Sequence, residues 1–419
     1  MPWRTGGSIA AALLACACAG RPDVLTFSGS VLGAEGEIVR RQIARFEAEH
    51  GVRVEVRQTP DAADQRHQLY VQWLNAWSAD PDILQLDVVW TPEFAAAGWI
   101  RPLDEFGVAE TALADFFDAT LVANRWQGRL YALPWFVDTG MLYWRTDLMR
   151  DAPETFSELA AAAARAIETG KVTAGFVWQG ARYEGLVTVF LEHLVGFGGA
   201  MLDEDGEVVV ASPAAVRALT FMRDSIYRDR TVPEAVLTWQ EEQARFAFQN
   251  GRAAFMRNWP YAAALLGRPG ESAVAGRFDV APMPREEGQS AAALGGAQLA
   301  INARSKQPDD AWTLVQYLTA PEQMIERAQV AGQFPSRRSL YTDPRLRDAL
   351  PIPPGRAREI IENAVPRPAT PVYSQLSGIL QIQLHRALTR QSAPEEALRA
   401  AADGMRRLLA TAGLSKERS

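Results

Sequence analysis

Residues 24–27 form a short apolar run, and residues 35–48 then set Ile38, Val39, Ile43, Ala44 and Phe46 at helical spacing on one face. Gly51 ends that helix. Val52, Val54 and Val56 alternate with Arg53, Glu55 and Arg57, the period of a strand with one wet face. Helical spacing returns over residues 64–78 through Leu69, Val71, Trp73, Leu74 and Trp77, and 82–89 reads as a buried strand. Strand, helix, strand, helix, strand predicts a parallel sheet with helices packed on it. Such sheets take ligands beyond the carboxyl ends of their strands, and Asp87 stands at that end of the run 83–86.

The middle of the chain, 153–281, reads as mostly helical. Helices are expected at 156–167, at 214–227 behind Ser212-Pro213, and at 239–250 up to Gly251, with short strands at 175–178 and 253–256. Strand signals return at 279–284 and 298–301, before helices at 309–319, 359–365, 371–388 and 394–409. The late strands predict that the chain comes back to its first lobe. An α/β protein of two lobes follows, each a mainly parallel sheet flanked by helices, with 24–137 and 285–320 in one lobe and 138–284 and 321–419 in the other.

Residues 129–148, RLYALPWFVDTGMLYWRTDL, join two strand-like runs through a polar centre. Pro134 cannot donate a ladder hydrogen bond, so it suits a sheet edge or a strand end, where the chain bends or crosses. Asp138 is framed by Trp135, Phe136, Tyr143 and Trp144, and burying its carboxylate there is costly unless it is hydrogen-bonded. A polyhydroxylated ligand supplies such bonds; a turn closed by the aspartate's own side chain does so equally well. Trp259 and Tyr261 flank Pro260 in a stretch without strand or helix period, and aromatics so placed are more often core plugs than ligand platforms. Gly295-Gly296 permits close backbone approach, and Arg367, held between Pro366 and Pro368, has a stiffened backbone that aims its guanidinium.

The 419 residues exceed the usual size of one core, in keeping with two lobes. A net charge of −7 and a pI near 5.4, with no basic run interleaved with aromatics, argue against nucleic acid as a partner. His50, His67, His193 and His385 are scattered without metal-ligand spacing, so neither a metal nor a cofactor is expected. Arg4 followed by the apolar stretch 9–15, too short to span a bilayer, reads as a secretory signal ending at residue 16. Leu13-Leu14-Ala15-Cys16 resembles a bacterial lipobox, in which Cys16 becomes lipidated; the run before Cys18 lacks the aliphatic residue, and an ordinary signal peptide cut nearby is the alternative. Both cysteines lie here, so the folded body is expected to hold no disulfide.

Several stretches, in order, resemble one family: SADPDILQLDVVW (78–90), GRLYALPWFVDTGMLYWRTDL (128–148), GFVWQGARYEGLV (175–187), RNWPYA (257–262), AALGG (292–296) and ENAVPRP (362–368). Together they are similar to the extracellular solute-binding proteins of ABC sugar importers, and within them to the trehalose/maltose-binding branch. The resemblance implies the two-lobed periplasmic-binding-protein fold, closing about a hinge on a disaccharide such as trehalose or maltose. It also implies an exported monomer anchored to the membrane by its lipid and delivering sugar to ABC permease subunits. Carried over by residue, it makes Asp87 and Asp138 acceptors from sugar hydroxyls, Arg66 and Arg367 donors, Trp259 and Tyr261 stacking walls, and Gly295 and Gly296 backbone contacts. Glu35 matches an acidic contact, with Glu37 close enough to replace it. Two positions depart: Ala297 stands where the branch has tryptophan, and Phe136 where it has tyrosine. A secreted glycoside hydrolase could use Asp87, Asp138 and Glu35, but cleft arginines would hold its general acid too acidic. A binder of glycerol phosphate would want more cations.

Overall fold

The computed structural model describes residues 24–29, 33–60 and 63–414; the stretch expected to be an export signal, with Cys16, lies outside the described residues. The strands are, in chain order, β1 (Leu25–Gly29), β2 (Val54–Gln58), β3 (Ile83–Asp87), β4 (Arg125–Trp126), β5 (Arg129–Leu130), β6 (Ala132–Thr139), β7 (Met141–Arg145), β8 (Ala174–Val177), β9 (Ala253–Asn258), β10 (Phe278–Ala281), β11 (Ala292–Ile301), β12 (Phe334–Pro335) and β13 (Ala364–Val365). One sheet runs β12-β6-β11-β3-β1-β2 with β13 beside the start of β11, and a second runs β10-β7-β9-β8. The α/β, two-lobed architecture is present, and its sheets are mixed rather than mainly parallel. Among the described strands only β1–β2, β1–β3, β8–β9 and β11–β13 pair in parallel, because the strands that cross between lobes enter each sheet antiparallel to their neighbours.

The first crossing is made by Gly140 alone, between β6 in one sheet and β7 in the other. Pro134 lies inside β6, between β11 and β12, and not at a strand end. A bulge absorbs it: the pairing shifts between Ala297 and Gln298, opposite Phe136 and Pro134, and the Ser336 hydroxyl donates to the Pro134 carbonyl at 2.9 Å. The second crossing leads from β10 to β11, and the third follows β13 into the helices Tyr373–Leu388 and Pro394–Thr411.

Residues 321–363, expected with the second lobe, sit with the first. Helix Pro321–Ala331 lies along helix Gly33–His50, where Gln42 donates to the Gln323 carbonyl at 2.9 Å, and β12 pairs with β6. Their apolar faces complete the first core: Met324, Ile325, Phe334, Ile360 and Ile361 are all buried there. The terminal helices do pack in the second lobe: Tyr373–Leu388 lies against helix Glu184–Gly196, which is buried on every side, and Pro394–Thr411 packs on Tyr373–Leu388 and on helix Pro213–Tyr227.

Candidate functional site

β11 runs between β3 and β6, and this register brings the two expected carboxylates to either side of one strand. Ala297 faces Asp87, and Gly295 faces Asp138. Both carboxylates open on a cavity of about 430 Å³ between the lobes, whose far wall carries Tyr183, Glu184, Glu241, Trp259 and Tyr261. That volume falls within the roughly 300–1,000 Å³ typical of small-molecule sites. The paired glycines also line it. Gly296 has φ of +109°, and a Cβ there would overlap the Phe136 carbonyl; one on Gly295 would stand 3.3 Å from both the Asp138 Cβ and the Trp259 ring. Packing therefore demands Gly296 and leaves little room at Gly295, whatever they contribute to a ligand.

Trp259 follows β9 directly, so its ring is positioned from below by the strand. The Arg257 guanidinium lies 3.9 Å from the ring centroid on the back face, and the indole N–H donates to Glu241 at 3.3 Å. Trp259 is half-buried and lines the cavity, so it is neither a plug sealed in the core nor a free platform. Arg257 is in turn held by Glu192, with bonds of 2.6 and 2.9 Å, and both are fully buried. The same carboxylate accepts from the Ala293 N–H on β11 at 3.1 Å and occupies the space a Cβ on Gly140 would need. One ion pair thus underlies the ring and touches two crossing strands.

Asp138 makes no hydrogen bond through its carboxylate among the described residues. Burial, followed by the charges of Glu35 and Asp87, pushes its pKa up to about 7, against a smaller opposing pull from Arg257. Asp87 is better supplied: its Oδ1 accepts from the Val89 N–H at 3.3 Å and from Arg367 Nη2 at 3.4 Å. Arg367 itself is 3 % exposed in its side chain. Its Nη1 donates to Glu184 at 2.6 Å, and Nη2 is shared between Asp87 and the Leu294 carbonyl, 3.2 Å away.

A family model for the bacterial extracellular solute-binding protein matches residues 30–325, which span both sheets. The chain belongs to that family. A probable ABC transporter-binding protein of Deinococcus radiodurans is 37% identical over 390 residues, covering 90% of this chain and 91% of the relative. Among solved structures, maltose-bound MalE3 of T. maritima superposes with a TM-score of 0.84 at 41% identity, over 92% of this chain and 99% of that one. The GacH receptor of Streptomyces glaucescens, solved unliganded and with acarbose, gives a TM-score of 0.81 at 25% identity, over 92% and 98% of the two chains.

In this solute-binding fold seven expected positions meet at one cavity: Asp87, Asp138, Trp259, Tyr261, Gly295, Gly296 and Arg367. Arg66 stands behind the wall instead. It is buried, with Nη1 donating to the Pro60 carbonyl at 3.1 Å and its guanidinium 5.4 Å from the Trp90 ring. Glu35 is not among the residues lining the cavity, but its charge reaches Asp138 and raises its pKa, and Arg327 lies 3.6 Å from it; Glu37 is on the exposed side of the helix. Glu184, Glu192 and Thr188 were not foreseen. All three ride on helix Glu184–Gly196, which is buried on every side, so its few polar residues mark no wet face and no amphipathic period betrays it. Glu184, accepting from Arg367, Tyr373 and Ser377, was legible only as an acid inside the matching stretch 175–187.

Proposed function

We propose that this chain is the sugar-binding component of an ABC importer, holding a disaccharide such as trehalose or maltose between its lobes and presenting it to permease subunits. The observation that carries the reading is the meeting, across one cavity, of two half-open carboxylates with the Trp259 and Tyr261 rings. Carboxylates accept several hydroxyl hydrogen bonds, and an aromatic face covers the apolar C–H face of a pyranose. Maltose is named for the T. maritima relative and acarbose for GacH, which supports a glycoside ligand here. An anionic ligand is disfavoured, since Arg367 is the one cation lining the described cavity and it is already bound to two carboxylates.

The experiment is a calorimetric titration with trehalose, maltose and longer maltooligosaccharides, followed by chromatography of the recovered sugar. Heat of binding with unaltered sugar is the expected result. Absence of binding to every glycoside would sink the reading. Cleavage would install the glycoside hydrolase in its place, a reading favoured by one observation: burial, followed by the charges of Glu35 and Asp87, raises Asp138 toward the range of a general acid.

Asp138 also gives the site a pH dependence. Sugar hydroxyls donate to the ionised carboxylate, so binding requires a proton to leave whenever the pH lies below about 7. Affinity should fall by up to about tenfold per unit as the pH drops below that value. Asp138→Asn should flatten the profile and, because ionising this buried group disfavours the folded state, raise the ligand-free melting temperature above neutral pH. An unchanged profile in the variant would assign the pH dependence to other groups. Asp138→Ala should weaken binding by about 1.5–3 kcal/mol at pH 8.

Export and anchoring are part of the same proposal. Among the described residues no helix is long and apolar enough to cross a membrane, and the lipobox-like run ending at Cys16 supports attachment through a lipid there. Cys16→Ser should release the protein into the soluble fraction, since one diacylated residue is then the whole anchor. Retention on membranes after that change would leave the lipobox assignment without support. A monomer is expected, with the faces of both lobes left open to the permease.

A further inference from the structure

We infer that the cleft selects a glycoside that carries a positive charge, an amino sugar in place of a neutral one. This rests on the sugar-binding reading above and refines it. The argument is a count of charges and of their partners around one cavity. Three buried arginines approach the cleft, and each is already committed: Arg257 to Glu192 at 2.6 Å, Arg327 to Glu35 at 3.6 Å, and Arg367 to Glu184 at 2.6 Å and Asp87 at 3.4 Å. Asp64, Asp138 and Glu241 also line the cavity, and none of them has a cation within salt-bridge distance among the described residues. Glu241 is held toward the cavity by the Trp259 indole N–H.

Neutral sugars satisfy carboxylates through hydroxyl donors, but they bring no positive charge to Asp138, where other acids already oppose ionisation, or to Glu241 and Asp64 on the same cavity. At Asp138 the charges of Glu35 and Asp87 add to burial in opposing ionisation. An ammonium group donates up to three hydrogen bonds and cancels charge at the same time. The rings of Trp259 and Tyr261 set the scaffold that carries it: a pyranose, whose C–H face they can cover. A bare polyamine would leave those rings uncovered.

The test is calorimetric titration of the full mature chain with two matched pairs, trehalose with trehalosamine and its positional isomers, and maltose with maltosamine. At least one amine is expected to bind about tenfold tighter than its parent, the scale of one charge-assisted hydrogen bond. Raising salt from about 0.05 to about 0.5 M should shrink the advantage several-fold, while the parent sugar changes little. N-acetylation of the amine should abolish the advantage, and an Asp64→Asn/Glu241→Gln variant should lose more affinity for the amine than for the parent. If trehalose or maltose binds and no amine binds tighter, the inference falls and the sugar-binding reading stands. If an advantage survives both salt and N-acetylation, shape and not charge is its source, and the inference is again overturned. If neither neutral sugars nor amines bind, both readings fail together.

Discussion

Glu192→Ala is expected to destabilise the protein by about 3–5 kcal/mol, the largest effect of any single substitution considered for this fold. The carboxylate is fully buried and answers three donors: Arg257 Nε, Arg257 Nη2 at 2.6 Å and the Ala293 N–H at 3.1 Å. Its removal leaves the Arg257 guanidinium charged and dry, with the Gln179 side-chain oxygen at 3.3 Å as its remaining side-chain acceptor. Urea unfolding of the ligand-free protein measures the loss directly. Replacing both partners, Glu192→Leu with Arg257→Met, should cost far less than the single change, because no charge is then stranded. A single variant that unfolds at the parent's urea midpoint would show that water reaches the pair and that the crossing strands are held by other contacts.

The sequence made the elements with clear periods readable. Helix Phe156–Glu168 carries its start signal in Thr155 and Glu158, which form a reciprocal cap, and helix Pro213–Tyr227 starts where Ser212 accepts from the Ala215 N–H. What escaped was buried or shared between lobes. Helix Glu184–Gly196 is buried on all sides, so its pattern has no face, and with it went Glu184 and Glu192. β9 runs on through Asn258, further than its apolar stretch suggests. Arg257 and Asn258 are polar but fully buried, one paired with Glu192 and the other donating to the Glu241 carbonyl at 3.1 Å. Residues 321–363 were misplaced because amphipathic helices announce that they pack, and not on which core.

The site positions divide along the same line. Asp87 was legible because strand polarity fixes where a carboxyl end lies, and Asp138 because a carboxylate among aromatics demands an explanation. Arg66 and Arg367 have the same side chain in motifs of similar weight, yet one is turned onto Trp90 and the other onto Asp87 and Glu184. Neither has a free fork for a ligand to take from solvent. Local sequence names the guanidinium and leaves its partner to the tertiary fold. For Arg367 the partners are acids from both lobes, so the residue acts as a brace that sets where Asp87 and Glu184 stand.

Trp259→Ala should weaken sugar binding by roughly 1–3 kcal/mol, the scale of a lost aromatic anchor. The stability cost should be smaller than the roughly 3–5 kcal/mol of a fully buried tryptophan, because this ring is only partly buried and lines the cleft. Some cost is still expected: the ring covers Arg257 at 3.9 Å and abuts Gly295, contacts worth on the order of 1 kcal/mol where partly exposed. Trp259→Phe separates the two contributions. It keeps a face for the pyranose and for Arg257 but deletes the N–H that holds Glu241 at 3.3 Å. Binding of a neutral sugar should therefore recover most of its strength in the phenylalanine variant. A protein that melts far lower in both variants, yet binds normally once cooled, would return Trp259 to the core. Ala297 sharpens the expectation: it lies opposite Asp87 where a further ring could have stood, so the loss of Trp259 leaves the smaller rings of Tyr261 and Tyr183 as the aromatic residues lining the described cavity.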